Sequence, residues 1–474
     1  MRRQLRQKCI YVLADFISAN AAWMAFNVIR YHMLEAAYLK HNSLSTFLQN
    51  PQVELGQMLI PLMMIGIFYL SGYYNTPFFK SRIEEAVNTI VTTFIGMLMI
   101  FFVTLINDNI PERLQNYELM AILWGLLCVM TYIPRSVITT SAGRRIRNGH
   151  ETFNTLIIGT SDKAAALARR MMKDTHRGMK ISGFVHTGNV TPSPLIGSIS
   201  PNIVQLENLQ QACSEMNISN LVIAPSARGT HSTMEIINTL FPLNRTIYIT
   251  PDFHQVITSR PRMSDVCGEP LIDISSSSMA AYTANLKRIG DIAVSGLCLI
   301  ALSPLMIAIA VAVKLSSPGP AIYSQERIGY HKKPFKIFKF RSMVTGAEPS
   351  GPALSSPNDS RITRTGQFLR KYRLDELPQF WNVLRGDMSL VGPRPERAFY
   401  VSQIIERAPY YSLVHQVRPG ITSWGIVKFG YASSVDEMIE RLRYDLIYIE
   451  NVSFLVDLRI LFHTIDTIFR GRGI

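Results

Sequence analysis

The chain has 474 residues, too many for one compact core, so its length indicates two to four folding units. The formal net charge is +14, yet only 17% of the residues are charged and 47% are apolar. Basic residues on so apolar a background are typical of membrane proteins, which keep Lys and Arg on the cytoplasmic side, so the charge requires no nucleic-acid partner and we expect none.

Four apolar segments in the first third of the chain approach the length that crosses a bilayer. They run over about 10–32, 56–74, 86–107 and 118–140. Basic residues occupy the N-terminus, the second loop and the exit of the fourth segment: Arg2, Arg3, Arg6, Lys8, Lys80, Arg82, Arg135, Arg144, Arg145 and Arg147. The pattern predicts a four-helix transmembrane domain at 1–147 with both ends in the cytoplasm. Four buried helices of a soluble protein are the alternative, which the segment lengths disfavour.

The first apolar segment carries three polar residues, Asp15, Asn20 and Asn27. Polar groups inside a span are costly unless they face other helices. Two interpretations follow: the polar residues pack inward, or the helix lies partly in the membrane interface.

Residues 152–272 have the composition of a soluble α/β domain, in which short β-like runs alternate with helical stretches. A strand and turn at 155–161 precede a helical stretch, and 220–225 and 245–250 are expected to be later parallel strands. The pattern predicts a Rossmann-like cytosolic domain. A dinucleotide site would need G-x-G-x-x-G after the first strand, but only Gly159 is present. Nucleotide binding and a purely structural or regulatory role both stay open.

Residues 273–286 form an expected linker before another long apolar segment at 287–315. This segment is long enough to span a bilayer, but Ser303-Pro304 interrupts it near its midpoint, where proline removes a hydrogen bond and bends a helix. Basic residues flank both ends, so a full span would leave one basic group outside. We therefore expect a re-entrant membrane helix that breaks at Ser303 and Pro304. A kinked full span and an ordinary buried helix are the alternatives.

A dense group of charges lies at 370–379 and contains the adjacent acids Asp375 and Glu376. A second motif, Gly392-Pro393-Arg394-Pro395, holds an arginine in a stiff turn. On these residues alone, the ordinary interpretation is that Asp375 caps a helix over 378–384, because acids are favoured at helix N-termini. The order of the motifs around the pair favours a chemical role instead.

The motifs of the last 190 or so residues follow one another in a specific order. They are Lys287-Arg288-x-x-Asp291, Ser303-Pro304, Ser317-Pro318-Gly319-Pro320, Lys339-Phe340-Arg341-Ser342-Met343, Leu374-Asp375-Glu376-Leu377-Pro378-Gln379 and Gly392-Pro393-Arg394-Pro395. In this order they resemble the polyprenyl-phosphate hexose-1-phosphate transferases, phosphoglycosyl transferases with one membrane-inserted catalytic domain. That family begins bacterial exopolysaccharide, capsule and O-antigen assembly. The N-terminal layout resembles the long members of the family, which add four helices and a Rossmann-like domain.

The resemblance implies a membrane protein of the α + α/β class. A mostly helical catalytic domain at 316–474 would follow the transmembrane bundle, the Rossmann-like domain and the re-entrant membrane helix. Its closing stretch, Phe454–Phe469, alternates apolar and charged positions and is expected to form a C-terminal amphipathic helix.

The resemblance also assigns the site. Asp375 would be the nucleophile and a ligand of Mg²⁺, with Glu376 as its partner. A carboxylate can attack the β-phosphorus of a diphosphosugar and leave a covalent aspartyl intermediate. Arginine forks can neutralise the phosphates. The candidates for substrate and phosphate binding are Arg370, Arg394, Arg341, Arg373 and Arg418. Arg418 begins a segment that resembles the nucleotide end of the family site, where Trp424 either stacks on a base or simply packs.

The implied reaction transfers hexose 1-phosphate from a UDP-hexose to undecaprenyl phosphate and releases UMP. It would take place at the cytoplasmic face of the bacterial inner membrane, with the lipid bilayer as a further partner. Residues 428–431 depart from the Gly-Arg-rich sequence that is usual in the family. The identity of the donor's sugar and nucleotide therefore stays open, although glucose or galactose is expected ahead of N-acetylated sugars.

Two other functions are also compatible with the sequence. A non-catalytic membrane scaffold or nucleotide sensor would work through 152–272. A polytopic sugar-phosphate transferase would need roughly ten spans, whereas only about five apolar segments exist. The sequence does not decide whether the protein is a homo-oligomer.

Overall fold

The computed structural model describes most of the chain. The described residues are 2–33, 43–75, 77–78, 80–105, 113–173, 178–188, 191–224, 233–250, 271–275, 279–347, 351–354, 359–430 and 432–469. They form two compact units: Met1–Glu151 with Thr175–Gly178, and Thr152–Asp174 with Met179–Ile474. Part of the expected linker, 276–278, lies outside the described residues.

The first unit is helical. Its helices are α1 (Arg2–Met33), α2 (Leu44–Leu48), α3 (Pro51–Leu70), α4 (Arg82–Ile100), which continues as a π-helical turn (Phe101–Leu105), and α5 (Arg113–Arg147). Four of them, α1, α3, α4 and α5, are long and apolar enough to cross a membrane. The expected four spanning segments are thus confirmed at the level of length and composition.

The polar residues of α1 pack inward, so the first of the two interpretations is correct. Asp15 is 1% exposed and accepts hydrogen bonds from Arg135 Nε and Nη2, both at 2.8 Å, and from the Tyr74 hydroxyl at 2.7 Å. Asn27 is buried and donates to the Trp23 carbonyl within the same helix. Burial of Asp15 beside Arg135 and Tyr74 offsets the penalty that its carboxylate would meet in lipid.

The position of Arg135 corrects the prediction that it is one of the basic residues outside the fourth span. The sequence placed it among the basic residues at the exit of the fourth span, but its side chain is fully buried inside the bundle. Besides the fork on Asp15, its guanidinium lies over the rings of Phe68 at 4.0 Å and Tyr73 at 3.7 Å. Arg135 therefore binds helix to helix, and the basic exit consists of Arg144, Arg145 and Arg147 alone.

The second unit begins with a six-stranded mixed sheet. Its strands are β1 (Phe153–Ile158), β2 (Met179–His186), β3 (Ile203–Gln205), β4 (Asn220–Ile223), β5 (Thr246–Ile249) and β6 (Ile272–Asp273). They lie in the order β3-β2-β1-β4-β5-β6, and every pair is parallel except β5 with β6. The parallel strands expected at 220–225 and 245–250 are confirmed.

Helices cover both faces of this sheet, as buried parallel strands require. They are α6 (Asp162–Lys173), α7 (Pro194–Gly197), α8 (Leu209–Glu215) and α9 (Thr233–Leu240). One apolar core lies under α8 and α9, and a second lies under α6. At the turn after β1, Gly159 has a φ of +118°, a backbone conformation that side chains disfavour.

A bent helix pair follows the sheet. Helix α10 (Ala281–Ala301) and helix α11 (Ser303–Ser316) meet at an angle of 63°. The break lies where the sequence expected it, because Pro304 cannot continue the hydrogen bonds of α10, and the Ser303 hydroxyl donates to the Ile300 carbonyl at 2.8 Å.

The remaining elements enclose a separate core. They are the antiparallel hairpin β7 (Ile322–Ile328) and β8 (Pro334–Phe340), then α12 (Arg364–Lys371), α13 (Gln379–Arg385), β9 (Ser389–Val391), α14 (Ala398–Arg407), β10 (Gly420–Thr422), α15 (Trp424–Lys428), α16 (Val435–Glu450) and α17 (Phe454–Phe469). Helix α17 has the bounds expected from sequence, with Ile460 buried and Phe454, Leu455 and Phe462 exposed.

Candidate active site

A cavity of about 470 Å³ lies between the β7–β8 hairpin, α12, α14 and α16. Of the described residues that line it, seven carry cationic side chains and three carry carboxylates. They are Arg327, Lys339, Arg341, Arg370, Arg394, Arg397 and Arg441, with Asp375, Glu376 and Glu396. Such an excess of cations in a partly closed space favours a polyanionic ligand.

The adjacent acids lie on a short 3₁₀ turn, Leu374–Glu376, between α12 and α13. Arg373 precedes the turn in the left-handed region, with φ of +52°, and so reverses the chain sharply. Leu374 and Leu377 flank the acids and pack against a small core formed by Ile309 and Val313 of α11 with Phe340 and Leu369. The turn that carries the acid pair therefore shares a core with the second half of the bent helix pair.

Asp375 does not act as a helix cap. Helix α13 begins after Pro378, and no side chain caps that terminus. Asp375 is only 8% exposed, and within the described part of the chain its carboxylate makes no ion pair. Burial raises the pKa of Asp375 to about 6, with the Lys339 charge opposing and the Glu376 charge adding to that rise. A buried carboxylate of raised pKa is a better nucleophile than an exposed one and is still ionised at neutral pH.

Glu376 has the opposite environment. Its Oε1 accepts a hydrogen bond from Lys339 Nζ at 2.8 Å and lies 3.6 Å from Arg394 Nη2. Burial alone would raise the pKa of Glu376, but the charges of Lys339, Arg394 and Arg373 outweigh it and lower that pKa to about 2. Glu376 is thus permanently ionised and holds two cations beside Asp375.

Two of the arginines expected to bind phosphate do line the cavity near the acid pair. Arg394 approaches Glu376, as described, and Arg370 donates from Nε to the Ser342 hydroxyl at 2.9 Å. The charge of Arg370 also lowers the pKa of Asp375, so the two side chains are close. Arg373 acts electrostatically on Glu376 from outside the cavity lining.

Arg341 borders the cavity, but its terminal nitrogens bind backbone. They donate to the carbonyls of Val313, Ser317 and Pro318 at 3.3, 2.6 and 3.0 Å, at the end of α11. Gly319, with φ of +124°, leaves the room for this approach, since a side chain there would collide with the guanidinium. Arg341 ties the hairpin to the end of α11.

Arg418 and Trp424 are not brought to the cavity. Arg418 Nε donates to the Gly386 carbonyl at 3.0 Å, and its guanidinium lies 5.7 Å from the Tyr330 ring centroid. Trp424 packs against the core of the catalytic region. Of the two interpretations of Trp424, the structure therefore favours simple packing.

Sequence reasoning missed a second ionic group in the cavity wall. Glu396 is 4% exposed and lies between Arg441 Nη2 and Arg327 Nη1, the latter at 3.3 Å. Burial opposes ionisation of Glu396, but Arg441, Arg327 and Arg394 lower its pKa. Glu396 directly follows the Gly-Pro-Arg-Pro motif, which was the available signal, whereas Arg327 and Arg441 come from distant elements.

Lys339 was also missed as a site residue, although it opens one of the motifs. It is the shortest cationic contact of Glu376, and burial lowers the pKa of its amine while the Glu376 charge raises it. Lys339 lies near the end of β8 and Arg341 directly follows the strand, and both line the cavity.

The carboxylates set a limit on metal binding. Among the described residues no group of three or more His, Cys, Asp or Glu side chains is arranged to hold a metal ion. Glu376 and Glu396 are each paired with two cations, so among the described lining residues Asp375 is the carboxylate left without an ion pair. One carboxylate together with substrate phosphates is a usual environment for Mg²⁺, so the residues fit the ion only when the substrate is also bound.

Comparison with known proteins gives the family. The sequence model of the bacterial sugar transferase family matches residues 282–471. A UDP-glucose:undecaprenyl-phosphate glucose-1-phosphate transferase of Klebsiella pneumoniae is 30% identical over 90% of this chain and 91% of its own length. An enzyme of the same name from Escherichia coli K12 is 32% identical over 73% of this chain and 74% of its own length.

A third relative is more similar over a shorter stretch. The UDP-N-acetylgalactosamine-undecaprenyl-phosphate N-acetylgalactosaminephosphotransferase of Aeromonas hydrophila is 40% identical over 48% of this chain and 53% of its own length. Among solved structures, UDP-D-quinovosamine 4-dehydrogenase of Vibrio fischeri matches 26% of this chain and 93% of its own with 15% identity and a TM-score of 0.21, too weak a likeness to carry an argument.

The resemblance drawn from the motifs is thereby confirmed, and the scaffold and polytopic alternatives are not supported. The chain belongs to the bacterial sugar transferase family and is a polyprenyl-phosphate sugar-1-phosphate transferase.

Proposed function

We propose that the protein transfers hexose 1-phosphate from a UDP-hexose to undecaprenyl phosphate through a covalent intermediate on Asp375. The observation that carries this proposal is the contrast within one cavity: Glu376 and Glu396 are locked in ion pairs, and Asp375 is not. The names of the relatives support the donor and acceptor classes.

In the first step an Asp375 carboxylate oxygen attacks the β-phosphorus of the donor. The bond between that phosphorus and the bridging oxygen breaks, so UMP leaves with the bonding electron pair and the sugar phosphate is held on Asp375 as an acyl phosphate. Arg370, Arg394 and Lys339 surround this position and offset the negative charge of the diphosphate.

In the second step an oxygen of undecaprenyl phosphate attacks the same phosphorus. The acyl phosphate bond breaks, Asp375 is regenerated as a carboxylate, and the product is a polyprenyl diphosphosugar. Each step exchanges one high-energy phosphate bond for another, so no further energy source is required and the sequence of steps is reversible.

Mg²⁺ is part of this proposal, with Asp375 as its protein ligand. The ion would neutralise phosphate oxygens as a Lewis acid when the donor is bound. Arg370 and Arg394 would orient the remaining oxygens. Removing divalent cations with EDTA is expected to stop UMP release and added Mg²⁺ to restore it, and release that persists in EDTA would remove the ion from the proposal.

The finer features of the architecture belong to the same proposal. The 63° bend at Ser303 and Pro304 supports a re-entrant helix that enters and leaves at the cytoplasmic face of the inner membrane. The parallel order of β3-β2-β1-β4-β5 supports a Rossmann-like domain. The product would start exopolysaccharide, capsule or O-antigen synthesis.

Release of UMP by the purified full-length protein tests the reaction. UDP-glucose is the first donor, because the two long matches are glucose-1-phosphate transferases, and UDP-N-acetylgalactosamine is the second. In the presence of undecaprenyl phosphate and Mg²⁺, Asp375→Asn should lower the rate by more than about 10³-fold, as loss of a nucleophile does. Without acceptor, mass spectrometry should find a phosphosugar on the peptide that contains Asp375.

The matched control is Asp436→Asn, an exposed acid paired with Arg407 on the surface. It should keep the wild-type rate. Full turnover by Asp375→Asn, or no UMP from any UDP-sugar with correctly folded protein, would overturn the proposal.

A further inference from the structure

The turns at Pro409–Gln416 belong to two hydrophobic cores at once. Tyr411 and Val414 are buried in the core of the catalytic region, whereas Leu413 packs against the core on the α8 and α9 face of the six-stranded sheet. Gln416 Nε2 also donates to the carbonyl of Ile274, next to β6, at 2.9 Å. The sheet domain and the catalytic region are therefore joined by packing through this segment as well as by the chain that links β6 to α10.

The same segment reaches the wall of the cavity. Tyr411 is 5% exposed, and its phenol interacts electrostatically with Glu396 and Arg441, which line the cavity. Leu413 lies two positions after Tyr411 in the same turns, so a shift of the sheet domain at Leu413 is carried along this short stretch of backbone to the Glu396 cluster. Packed turns transmit such shifts because they deform little.

A second contact runs through the turn of the β7–β8 hairpin. Lys332 Nζ, at that turn, donates to the carbonyl of Asn238 in α9 at 2.9 Å. His415, from the shared segment, contacts the Gly329 carbonyl through Nδ1 at 3.0 Å. The hairpin that carries Arg327 and Lys339 into the cavity is thus fixed at its turn by the sheet domain and by the segment.

We propose that the six-stranded-sheet domain positions the Glu396 wall of the donor cavity, with Leu413 and Lys332 as positioning residues. Nothing in the proposed chemistry requires the sheet domain to bind a ligand for this role. Its effect falls on Arg327, Glu396 and Arg441, and it leaves the attack by Asp375 unchanged.

The kinetic expectation rests on the proposed function. Arg327 and Arg441 line the cavity on the side away from the proposed attack, so in this proposal they would bind donor charge equally before and during reaction. Loosening them should then raise the donor KM with little change in kcat. Leu413→Ala and Lys332→Met are expected to raise the donor KM about five- to tenfold, within the range of measured couplings between sites. Lys333→Met, at the exposed neighbouring position, is the control and should leave KM unchanged.

Hydrogen–deuterium exchange of the full-length protein tests the coupling without any activity. Leu413→Ala should speed exchange in peptides over 394–400 and 323–328 by about fivefold, because their local stability falls. The control is Leu206→Ala, another half-buried leucine packed against the same core, beside the opposite edge strand β3. It should not affect those peptides.

The kinetic and exchange experiments distinguish failure of the proposed function from failure of the positioning role. An inactive wild-type protein would overturn the proposed function, and the exchange experiment would still test the positioning role. Equal exchange at 394–400 in Leu413→Ala and Leu206→Ala, or a fall in kcat with KM unchanged, would overturn the positioning role.

Discussion

Asp375 and Glu376 are neighbours in the chain, yet their carboxylates have opposite surroundings. Glu376 contacts Lys339 and Arg394, whereas Asp375 is buried without an ion pair among the described residues. Two like charges this close titrate as a pair, and the cations on Glu376 ensure that it loses its proton first. The two adjacent acids thus have different environments: Glu376 holds cations, and Asp375 is the acid proposed to react.

The pH dependence of the reaction should report this division. Asp375 attacks only when ionised, and its pKa is raised to about 6, so kcat/KM for the donor should fall about tenfold per pH unit below 6. In a two-step exchange this ratio does not depend on titration of the acceptor phosphate. Initial rates of UMP release between pH 4.5 and 8 measure it.

The variant Lys339→Met tests whether ionisation of Asp375 causes this pH dependence. The Lys339 charge lowers the pKa of Asp375, so its removal should move the midpoint to higher pH. If kcat/KM falls with a midpoint near pH 4 in the wild type, or if the midpoint does not move in the variant, the fall in kcat/KM cannot be assigned to Asp375.

The predicted site residues that line the cavity share a local signal in the sequence. Asp375, Glu376 and Arg394 lie in compact motifs, and all three line the cavity. Sequence analysis missed the ionic group of Arg327, Glu396 and Arg441. Its members come from β7, the segment before α14, and α16, and their spacing in the sequence does not indicate that they meet. Arg341 also lies in a compact motif, but its terminal nitrogens donate to backbone carbonyls at the end of α11.

At the scale of elements, the pair between α1 and α5 fixes how two helices of the bundle meet. A fork between Arg135 and Asp15 has one geometry, so it specifies the register and rotation of both helices, which apolar side chains alone specify weakly. Hydropathy located these helices, but it could not reveal the pairing.

Arg135→Met should destabilise the bundle by about 3 to 5 kcal/mol, because Asp15 is left buried and unpaired. Adding Asp15→Leu should recover part of the loss, since both charges are then gone. Thermal unfolding of the full-length protein in detergent measures both effects. Arg144→Met, at an exposed position of the same helix, should change stability by less than about 0.5 kcal/mol, and an equal loss in that control would show that the fork is not responsible.

For the whole molecule, the order of parts was more predictable than their contacts. Four apolar helices, an α/β sheet and a helical region with a bent membrane-length pair follow from periodicity, length and proline placement. The shared segment Pro409–Gln416 could not be foreseen, because its apolar residues look alike in sequence and only the fold sends Leu413 to one core and Tyr411 to the other.

The proposed re-entrant path places both ends of the α10–α11 pair on the cytoplasmic side. Single cysteines at Ala281 and Ser316, the outer ends of α10 and α11, should both resist a membrane-impermeant maleimide in intact spheroplasts and react after lysis. The background is a chain whose native cysteines are replaced. Labelling of one end in intact spheroplasts would instead indicate a full span, since a span separates its ends across the bilayer.

The buried fork of the bundle also constrains how the protein is made. Asp15 and Arg135 are 120 residues apart, so α1 emerges from the ribosome well before its partner. At about 5 to 20 residues per second, Asp15 waits roughly 6 to 24 s for Arg135. On insertion scales an acid costs about 3 kcal/mol at the centre of a lone span and less near its end, where Asp15 lies in the segment 10–32. As a membrane span, α1 would therefore be sheltered at the insertion machinery, or stay shallow in the membrane, until α5 has been synthesised.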